Sequence, residues 1–254
     1  MANGDNVNSF GYAKRGVPGS IPDGANGPMR TDLKGNLALA QAGMWRHLHA
    51  DEGTYFNAHN ITNDAATTLA GHAAPVLVDA DVTMTKPLVV ARMPAASAVR
   101  AYLDYIQIDV ITAGASGTAA SWACKMDTGA DRYSSGTVET FVNFCGNMQS
   151  KVAGTLIWKA GPFVCTAETA NSVDLGFGAM RSAIEFTGDR YTFVFGGDPS
   201  VMGTDSLVAG AASHEIITLP PVILGSTDQL LLALYSPSQS SAGVYKIRCG
   251  WREV

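Results

Sequence analysis

The segment His47-Leu48-His49-Ala50-Asp51-Glu52 carries the side chains of this chain best suited to metal chemistry. His47, His49 and Asp51 are spaced two residues apart, and alternate residues of a β-strand point to the same face. Imidazole nitrogen and carboxylate oxygen are ligands that suit zinc or manganese. The spacing makes these three residues candidate metal ligands, and a His/Asp metal-dependent hydrolase is the enzymatic interpretation.

An active metal site needs three or four convergent ligands and partners that orient them. The other histidines, His59, His72 and His214, form no spaced pair with another His or Cys. We therefore predict no bound metal and no cofactor. The alternative is a polar segment whose histidines make local hydrogen bonds.

Two further patterns could belong to an enzyme. Asp127, Asp131, Asp189 and Asp198 could supply a pair of carboxylates for glycoside cleavage, although loop Asp residues usually stabilise turns. The pair Gly176-x-Gly178 resembles a phosphate-binding loop, but no helical pattern follows it, so we interpret both as turn glycines. We predict that the chain is not an enzyme.

The composition describes a charge-poor protein. Charged residues make up 15% of the 254 residues and hydrophobic residues 46%, against about 25% charged in an average domain. Such a surface suits contact with other protein. The net charge of −5 and the lack of a Lys/Arg run argue against nucleic acid as a partner. No apolar run approaches a membrane span, and the N-terminal residues contain no apolar region of a secretory signal, which predicts synthesis in a cytoplasm.

The four cysteines are far apart in sequence and form no CxxC pair, which argues against a zinc site or a redox motif. Three of them lie in apolar, strand-like surroundings: Cys124, Cys165 and Cys249. We expect these three to be small buried hydrophobic residues. We expect no disulfide framework among the four cysteines.

The N-terminal part of the chain differs from the rest. Residues 1–32 are rich in Gly, Pro, Asn and Asp and have no periodic apolar pattern, which predicts an extended arm. Residues 33–72 form a linker. Leu37 begins either a strand or a short helix that ends at His49, and a loop follows at Asn57–Ala74. We therefore divide the chain into an arm and linker, 1–72, and a β-sandwich domain, 73–254. Spaced apolar residues of the arm are candidate anchors for a partner surface: Phe10, Tyr12, Val17, Ile21 and Met29.

From Pro75 onward the hydrophobic pattern has a period of two, as in half-buried antiparallel strands. Four segments alternate in this way: Tyr102–Thr112, Ser121–Met126, Arg190–Phe195 and Val244–Arg252. Gln229–Tyr235 is continuously apolar, which indicates a central strand or a strand at a subunit interface. The fold class is therefore all-β, an antiparallel β-sandwich or jelly roll, with long inserted loops at 127–160 and 196–213.

Four phrases of the sequence resemble, in the same order, a family of structural proteins of tailed phages. They are HADEGTYFNAHN (49–60), ADRYSSGT (130–137), VNFCGNMQS (142–150) and LLALYSPSQSSAGVYKIRCGWRE (231–253). All four are turn and strand signatures, and the resemblance extends over most of the chain from about Arg30. It implies a virion protein similar to the jelly-roll decoration, or cement, proteins that trimerise on the capsid surface.

This resemblance implies a homotrimer on the capsid surface, with the major capsid protein as its partner. Low charge and the apolar segment Gln229–Tyr235 also favour a homo-oligomer. The alternative is a tail or neck component that contacts a receptor or glycan, since such components have similar sandwiches. An arm of about 30 residues could reach roughly 100 Å across neighbouring subunits.

Overall fold

The computed structural model describes most of the chain from His49 to Val254. The described residues are 49–50, 53–60, 77–78, 81–82, 85–115, 120–136, 142–145, 154–161, 163–181, 186–197, 204–205, 212–235 and 243–254. The predicted arm, with its anchors, lies outside these residues, and so do His47 and Asp51. His49 and Ala50 have helical backbone geometry, and the rest of the strand-or-helix segment from Leu37 lies outside as well.

The described residues are dominated by β-strands, which confirms the all-β prediction. Their bounds are β1 (Tyr55–His59), β2 (Leu77–Val78), β3 (Asp81–Val82), β4 (Val89–Arg92), β5 (Ala101–Thr112), β6 (Ala120–Thr128), β7 (Tyr133–Gly136), β8 (Val142–Cys145), β9 (Ile157–Ala160), β10 (Phe163–Cys165), β11 (Val173–Arg181), β12 (Arg190–Phe195), β13 (Thr204–Asp205), β14 (His214–Leu219), β15 (Ile223–Leu224), β16 (Asp228–Tyr235) and β17 (Val244–Glu253).

Two large sheets pack face to face as a sandwich. The first sheet has the order β13-β14-β12-β5-β17-β1-β8, with β15 paired to β5 beside this path. The second has the order β11-β6-β16-β4-β9. Two small two-stranded sheets, β10-β7 and β2-β3, complete the described strands. Strands distant in sequence, such as β5 and β17, are neighbours in the first sheet. The inner faces of the two sheets pack together to form the core.

The alternation in β5, β12 and β17 is the sequence pattern that builds the first sheet. In β17 the four residues predicted to face inward are at most 5% exposed: Tyr245, Ile247, Cys249 and Trp251. Trp122 of β6 meets Phe193 of β12 edge to face, with ring centroids 5.4 Å apart, and so links the two sheets across the core. The sandwich prediction is confirmed.

The continuously apolar strand β16 lies at the centre of the second sheet. It pairs with β6 on one side and with β4 on the other. Leu230 and Leu232 face the main core, whereas Leu231 and Ala233 belong to a second apolar cluster on the opposite face. The central-strand alternative is therefore confirmed, and the strand is not exposed to form a subunit interface.

A third layer covers the outer face of the second sheet and corrects the prediction that β6 is half-buried. Cys165 of β10 and Tyr133 of β7 pack over Ala123 of β6. As a result Ala123 and Lys125, predicted to face solvent, are 2% and 8% exposed. The polar sequence of β7 gave no sign that it would cover an apolar surface.

Other sequence-based predictions are also wrong in detail. The segment 127–160, predicted as a loop, contains β7, β8 and β9, and 196–213 contains β13. Asn57–His59, predicted as loop, belongs to β1 between β17 and β8. The pair β12-β14 is parallel, because the chain crosses over between Phe195 and His214 instead of turning back tightly.

Candidate functional site

His49 is the only candidate metal ligand that lies in the described part of the chain. Its Nδ1 is 3.1 Å from Thr54 Oγ1, and its Nε2 is 2.9 Å from Arg252 Nη1. The Thr54 hydroxyl donates to the His49 carbonyl oxygen at 3.2 Å, so Thr54 Oγ1 can accept a hydrogen bond from Nδ1–H. A guanidinium only donates, so Nε2 must accept. These contacts assign a neutral imidazole protonated on Nδ1.

The contact of His49 with Thr54 is local, as the polar-segment interpretation predicted, whereas its contact with Arg252 joins it to β17 at the other end of the chain. A metal ion on Nε2 would have to displace Arg252 and would lie beside its positive charge. His47 and Asp51 lie outside the described residues, so the absence of a metal stays a prediction. Among the residues that the structure describes, no group of three or more His, Cys, Asp or Glu is arranged to hold a metal ion.

An open groove of about 450 Å³ lies beside His49 at the rim of the first sheet. Its wall contains one hydrogen-bonded pair and one cation–π pair. Tyr55 donates its hydroxyl to Asp104 at 2.7 Å, and the Arg252 guanidinium lies 4.5 Å from the centre of the Tyr102 ring. The other lining residues are mainly apolar: Leu103, Phe195, Gly196, Pro221, Val222 and Ile223.

The chemistry of this groove suits binding. Aromatic rings can stack on an apolar face of a ligand, while a carboxylate and a guanidinium fix its orientation through hydrogen bonds. Tyr55 and Tyr102 supply the rings, and Asp104 and Arg252 supply the charges. The sequence indicated only His49 of this set, because the others come from strands far apart in the chain.

A buried polar cluster lies under β7 and β10, on the outer face of the second sheet. Arg132 is 1% exposed, and its Nη1 lies 3.3 Å from Asp127, whose side chain is fully buried. The N–H of Nη1 is not aligned for a hydrogen bond, so this contact is an ion pair. Arg132 also donates from Nε and Nη2 to the carbonyl oxygen of Thr166, at 3.2 and 2.8 Å.

The other carboxylate oxygen of Asp127 is occupied as well. Asp127 accepts hydrogen bonds from the Thr128 backbone at 2.9 Å and from the Thr169 hydroxyl. Gln229 of β16 donates to the Ala130 carbonyl at 3.1 Å, which fixes the turn before β7. The cluster therefore attaches the third layer to the second sheet, and Asp127 and Thr128 have a structural role at the end of β6.

Lys125 extends this cluster toward solvent. Its ammonium group lies 2.9 Å from Glu168 and 3.0 Å from Asp174 of β11. Burial alone would lower the pKa of Lys125, but hydrogen bonds and attraction from the two carboxylates outweigh it, and the pKa is raised. Lys125 is thus held in its charged form, which suits an ion-pair role and not that of a general base.

The carboxylates that the sequence offered for glycoside cleavage serve separate structural roles. Asp189 is completely buried and accepts hydrogen bonds from Phe186 N, Ser213 N and the Tyr191 hydroxyl, at 2.7, 2.7 and 3.0 Å. Asp131 is paired with Arg92 and Lys159 at 3.2 and 3.3 Å. Asp198 lies outside the described residues. Buried and hydrogen-bonded in this way, Asp127 and Asp189 are not placed to reach a sugar.

All four cysteines are buried free thiols, and burial was predicted from the sequence for Cys124, Cys165 and Cys249. Burial raises the pKa of the Cys124 and Cys249 thiols far above their ordinary value. It also raises the pKa of Cys165, to about 11. Because the thiolate is the reactive form, burial and the raised pKa both disfavour reaction at these three residues near neutral pH.

The outer face of the first sheet carries a charged group centred on Asp109. Arg190 Nε lies 2.5 Å from one carboxylate oxygen, and Arg248 Nη2 lies 2.8 Å from the other. Burial would raise the pKa of Asp109, but hydrogen bonds from Arg190, Arg248 and Gln107 outweigh it and lower the pKa. Three strands, β5, β12 and β17, are joined by this one carboxylate.

The lowered pKa predicts a pH-dependent contribution to stability. A group whose folded pKa is depressed stabilises the protein above its ordinary pKa, about 4, and loses this effect as pH falls through the folded value. Because both arginines are more than 40% exposed, we expect Asp109→Asn to cost only about 1 kcal/mol at pH 7. Urea unfolding of both proteins should show this difference shrinking below pH 4. A difference that does not change with pH would assign the loss to packing.

The edge of the second sheet presents a different kind of surface. Within the described residues, β11 pairs with β6 along one side and with no strand along the other. It has nine residues, whereas the other described edge strands of the two large sheets, β9, β8 and β13, have four, four and two. Phe177, at its centre, is 74% exposed, and Val173 is 50% exposed.

Gly176 and Gly178 lie within β11, which corrects their interpretation as turn glycines. An added Cβ on Gly176 would come within 3.0 Å of the Trp122 ring, and one on Gly178 within 3.1 Å. Both glycines therefore face the core, where Trp122 fills the space beside them. Because side chains alternate along a strand, Phe177 points to the opposite face, where its ring is exposed.

Comparison with known proteins identifies no relative. No protein-family model matches the chain, and no curated protein or solved structure matches it either. In the described part of the chain, no helix has the length and apolar character needed to cross a membrane.

Proposed function

We propose that this chain is a structural protein of a tailed-phage virion, not an enzyme, and that it decorates the capsid. In this role it stabilises the head by bridging capsid subunits. Its partners are the major capsid protein and further copies of itself, as a homotrimer. The four phrases that resemble phage structural proteins support this proposal, and an all-β sandwich with few charges is compatible with it.

The observation that carries an assembly role is the outer edge of β11, which no strand covers in the described part of the chain. Proteins that work as monomers protect such edges with charge, proline or covering segments, because open backbone groups invite another strand. Phe177 and Val173 add apolar surface beside this edge. A long, partly apolar edge supports a function in which the protein contacts another chain.

The use of charged residues in the fold also supports a structural role. Asp127, Arg132 and Asp189 are buried, and each is paired or hydrogen-bonded within the fold. Such residues hold layers together, whereas catalytic groups must reach a substrate. A decoration protein needs only a stable fold and a surface that recognises the assembled shell. Because it binds the shell and not the loose subunits, it shifts the equilibrium toward the shell.

The second candidate is a tail or neck component that contacts a glycan, and the groove beside His49 favours it. Tyr102 and Tyr55 with Asp104 and Arg252 combine aromatic faces with charged hydrogen-bonding groups. This combination suits a polar ligand that has an apolar face, as a sugar ring does.

Imaging of labelled particles separates these two functions. If the protein decorates the capsid, a gold or antibody label in negative stain should lie over the head, at local three-fold or quasi-three-fold positions. Label found only at the tail vertex would contradict decoration and support the second candidate. Label absent from particles would contradict both.

Elemental analysis of the purified protein is the matching control for the hydrolase interpretation. We expect no stoichiometric zinc or manganese. Metal at one ion per chain that is lost in His47→Ala with His49→Ala would contradict the structural role and restore the metal-dependent hydrolase.

A further inference from the structure

We propose that β11 pairs antiparallel with β11 of a second copy of this chain, around a two-fold axis at Phe177. The inference rests on the proposed assembly role of this edge and adds the identity of its partner. The pairing would join the second sheets of two copies into one continuous sheet. It is a contact between two copies, so within a trimeric protein it would connect neighbouring trimers.

The first argument is that the strand is complementary to itself. With Phe177 opposite its own symmetry mate, Gly176 of one copy faces Gly178 of the other, on the face where Trp122 already fills the space. Four glycines then meet on that face, and glycine in a strand permits another backbone to approach closely. No side chains collide there.

The opposite face of the pair is apolar and uncharged near the axis. The two Phe177 rings would lie side by side, and aromatic cross-strand pairs stabilise antiparallel sheets. Ala179, the nearest residue on the same face, is small and exposed and leaves room for the partner's ring. Asp174, farther along the strand, is held by Lys125 at 3.0 Å, so its charge is compensated before the copies meet.

The irregularities of β11 explain why this pairing would stop at two copies. The register with β6 shifts between Asp174 and Gly176 and again between Ala179 and Arg181. Bulges bend a strand and terminate pairing. They leave Gly176–Ala179 as the regular segment, and a two-fold contact at Phe177 occupies this segment in both copies. The result is a closed pair and not a fibre.

Cysteine substitution at the axis tests the pairing directly. Directly opposite residues in antiparallel strands have Cα atoms about 4.5–5.5 Å apart, within the range of about 4.4–6.8 Å that a disulfide spans. Phe177→Cys should therefore form a dimer on mild oxidation, seen on a non-reducing denaturing gel. The four native thiols are buried and should give little background.

Two matched variants control for random collision and for register. Val173→Cys lies four residues from the axis, so the two thiols would be eight residue steps, about 27 Å, apart and should not cross-link. Ile216→Cys, 37% exposed on β14 of the other sheet, measures collisional cross-linking. We expect at least tenfold more dimer for Phe177→Cys than for either control.

Association without cross-linking supplies a second measurement. In analytical ultracentrifugation across micromolar concentrations, Phe177→Asp should weaken the wild-type self-association at least tenfold, while Ile216→Asp should not. Equal cross-linking of Phe177→Cys and Ile216→Cys, preferential cross-linking of Val173→Cys, or unchanged association of Phe177→Asp would each overturn the pairing. These results concern purified protein, so they are independent of where the label lies on particles.

Discussion

Replacing Arg132 with methionine should lower the free energy of unfolding by about 3–5 kcal/mol. The substitution removes the cation from a fully buried pair and leaves the Asp127 carboxylate without compensation. It also removes two hydrogen bonds to the Thr166 carbonyl, which hold β10 above the second sheet. Urea unfolding at pH 7, followed by circular dichroism, measures the loss.

Lys159→Met is a matched control for this prediction. Lys159 lies 3.3 Å from Asp131, the same separation as in the Arg132–Asp127 pair, but its side chain is 20% exposed and that of Asp131 is 35% exposed. We expect a cost of at most about 1 kcal/mol, because water screens this pair. Equal losses in the two variants would show that burial does not determine the contribution of Arg132.

A double variant separates the effect of the unpaired Asp127 carboxylate from the effect of the contacts that Arg132 loses. Arg132→Met combined with Asp127→Asn no longer buries an unpaired carboxylate, so it should be less destabilised than Arg132→Met alone. If the double variant is the less stable of the two, the two side chains stabilise the fold independently and not as a pair.

The sandwich could be predicted because its strands keep a simple pattern. β5, β12 and β17 have one face in the core and the other in water, and a period of two records this difference in the sequence. β16 was recognisable for the opposite reason. Both of its faces are covered, so Leu230 to Leu232 are all apolar.

The third layer and the buried cluster could not be predicted from the same pattern. β7 has the polar sequence YSSG, and three of its residues are exposed. Its covering role depends on Tyr133 and on contacts with other strands, such as Ser134 with Val164 of β10 and Tyr133 with the apolar cluster on the outer face of β16. Asp127 and Arg132 look like ordinary loop charges until β10 and β16 are placed beside them. Pairing between distant residues leaves no local signal.

The exposed edge of β11 was missed for a different reason. Gly176 and Gly178 suggested a turn, since glycine usually weakens strands. Their actual role depends on Trp122, whose ring occupies the space that side chains would need. The groove beside His49 likewise combines residues from separate strands, so only His49 stood out in the sequence.

Truncating Trp251 to alanine should cost about 3–5 kcal/mol, the other large effect that we expect. Trp251 is completely buried, with ring centroids 5.8 Å from Phe56 and 5.5 Å from Trp158. It therefore connects β1 and β17 of the first sheet with β9 of the second. Its indole N–H also donates to Glu253 at 2.9 Å, and this carboxylate accepts from the backbone of Thr155 and Leu156 as well.

Phe177→Ala is the matched control, because it truncates an aromatic ring on a strand that is exposed instead of buried. Its cost should be less than about 1 kcal/mol when unfolding is measured at concentrations low enough to prevent self-association. Trp251→Phe should fall between the two, since it keeps most of the apolar contact and loses the N–H donor to Glu253. Thermal or urea unfolding of the three variants gives the order directly. If Trp251→Ala costs no more than Phe177→Ala, the contact of Trp251 with Phe56 and Trp158 does not hold the two sheets together, and their attachment depends on Trp122 and Phe193 instead.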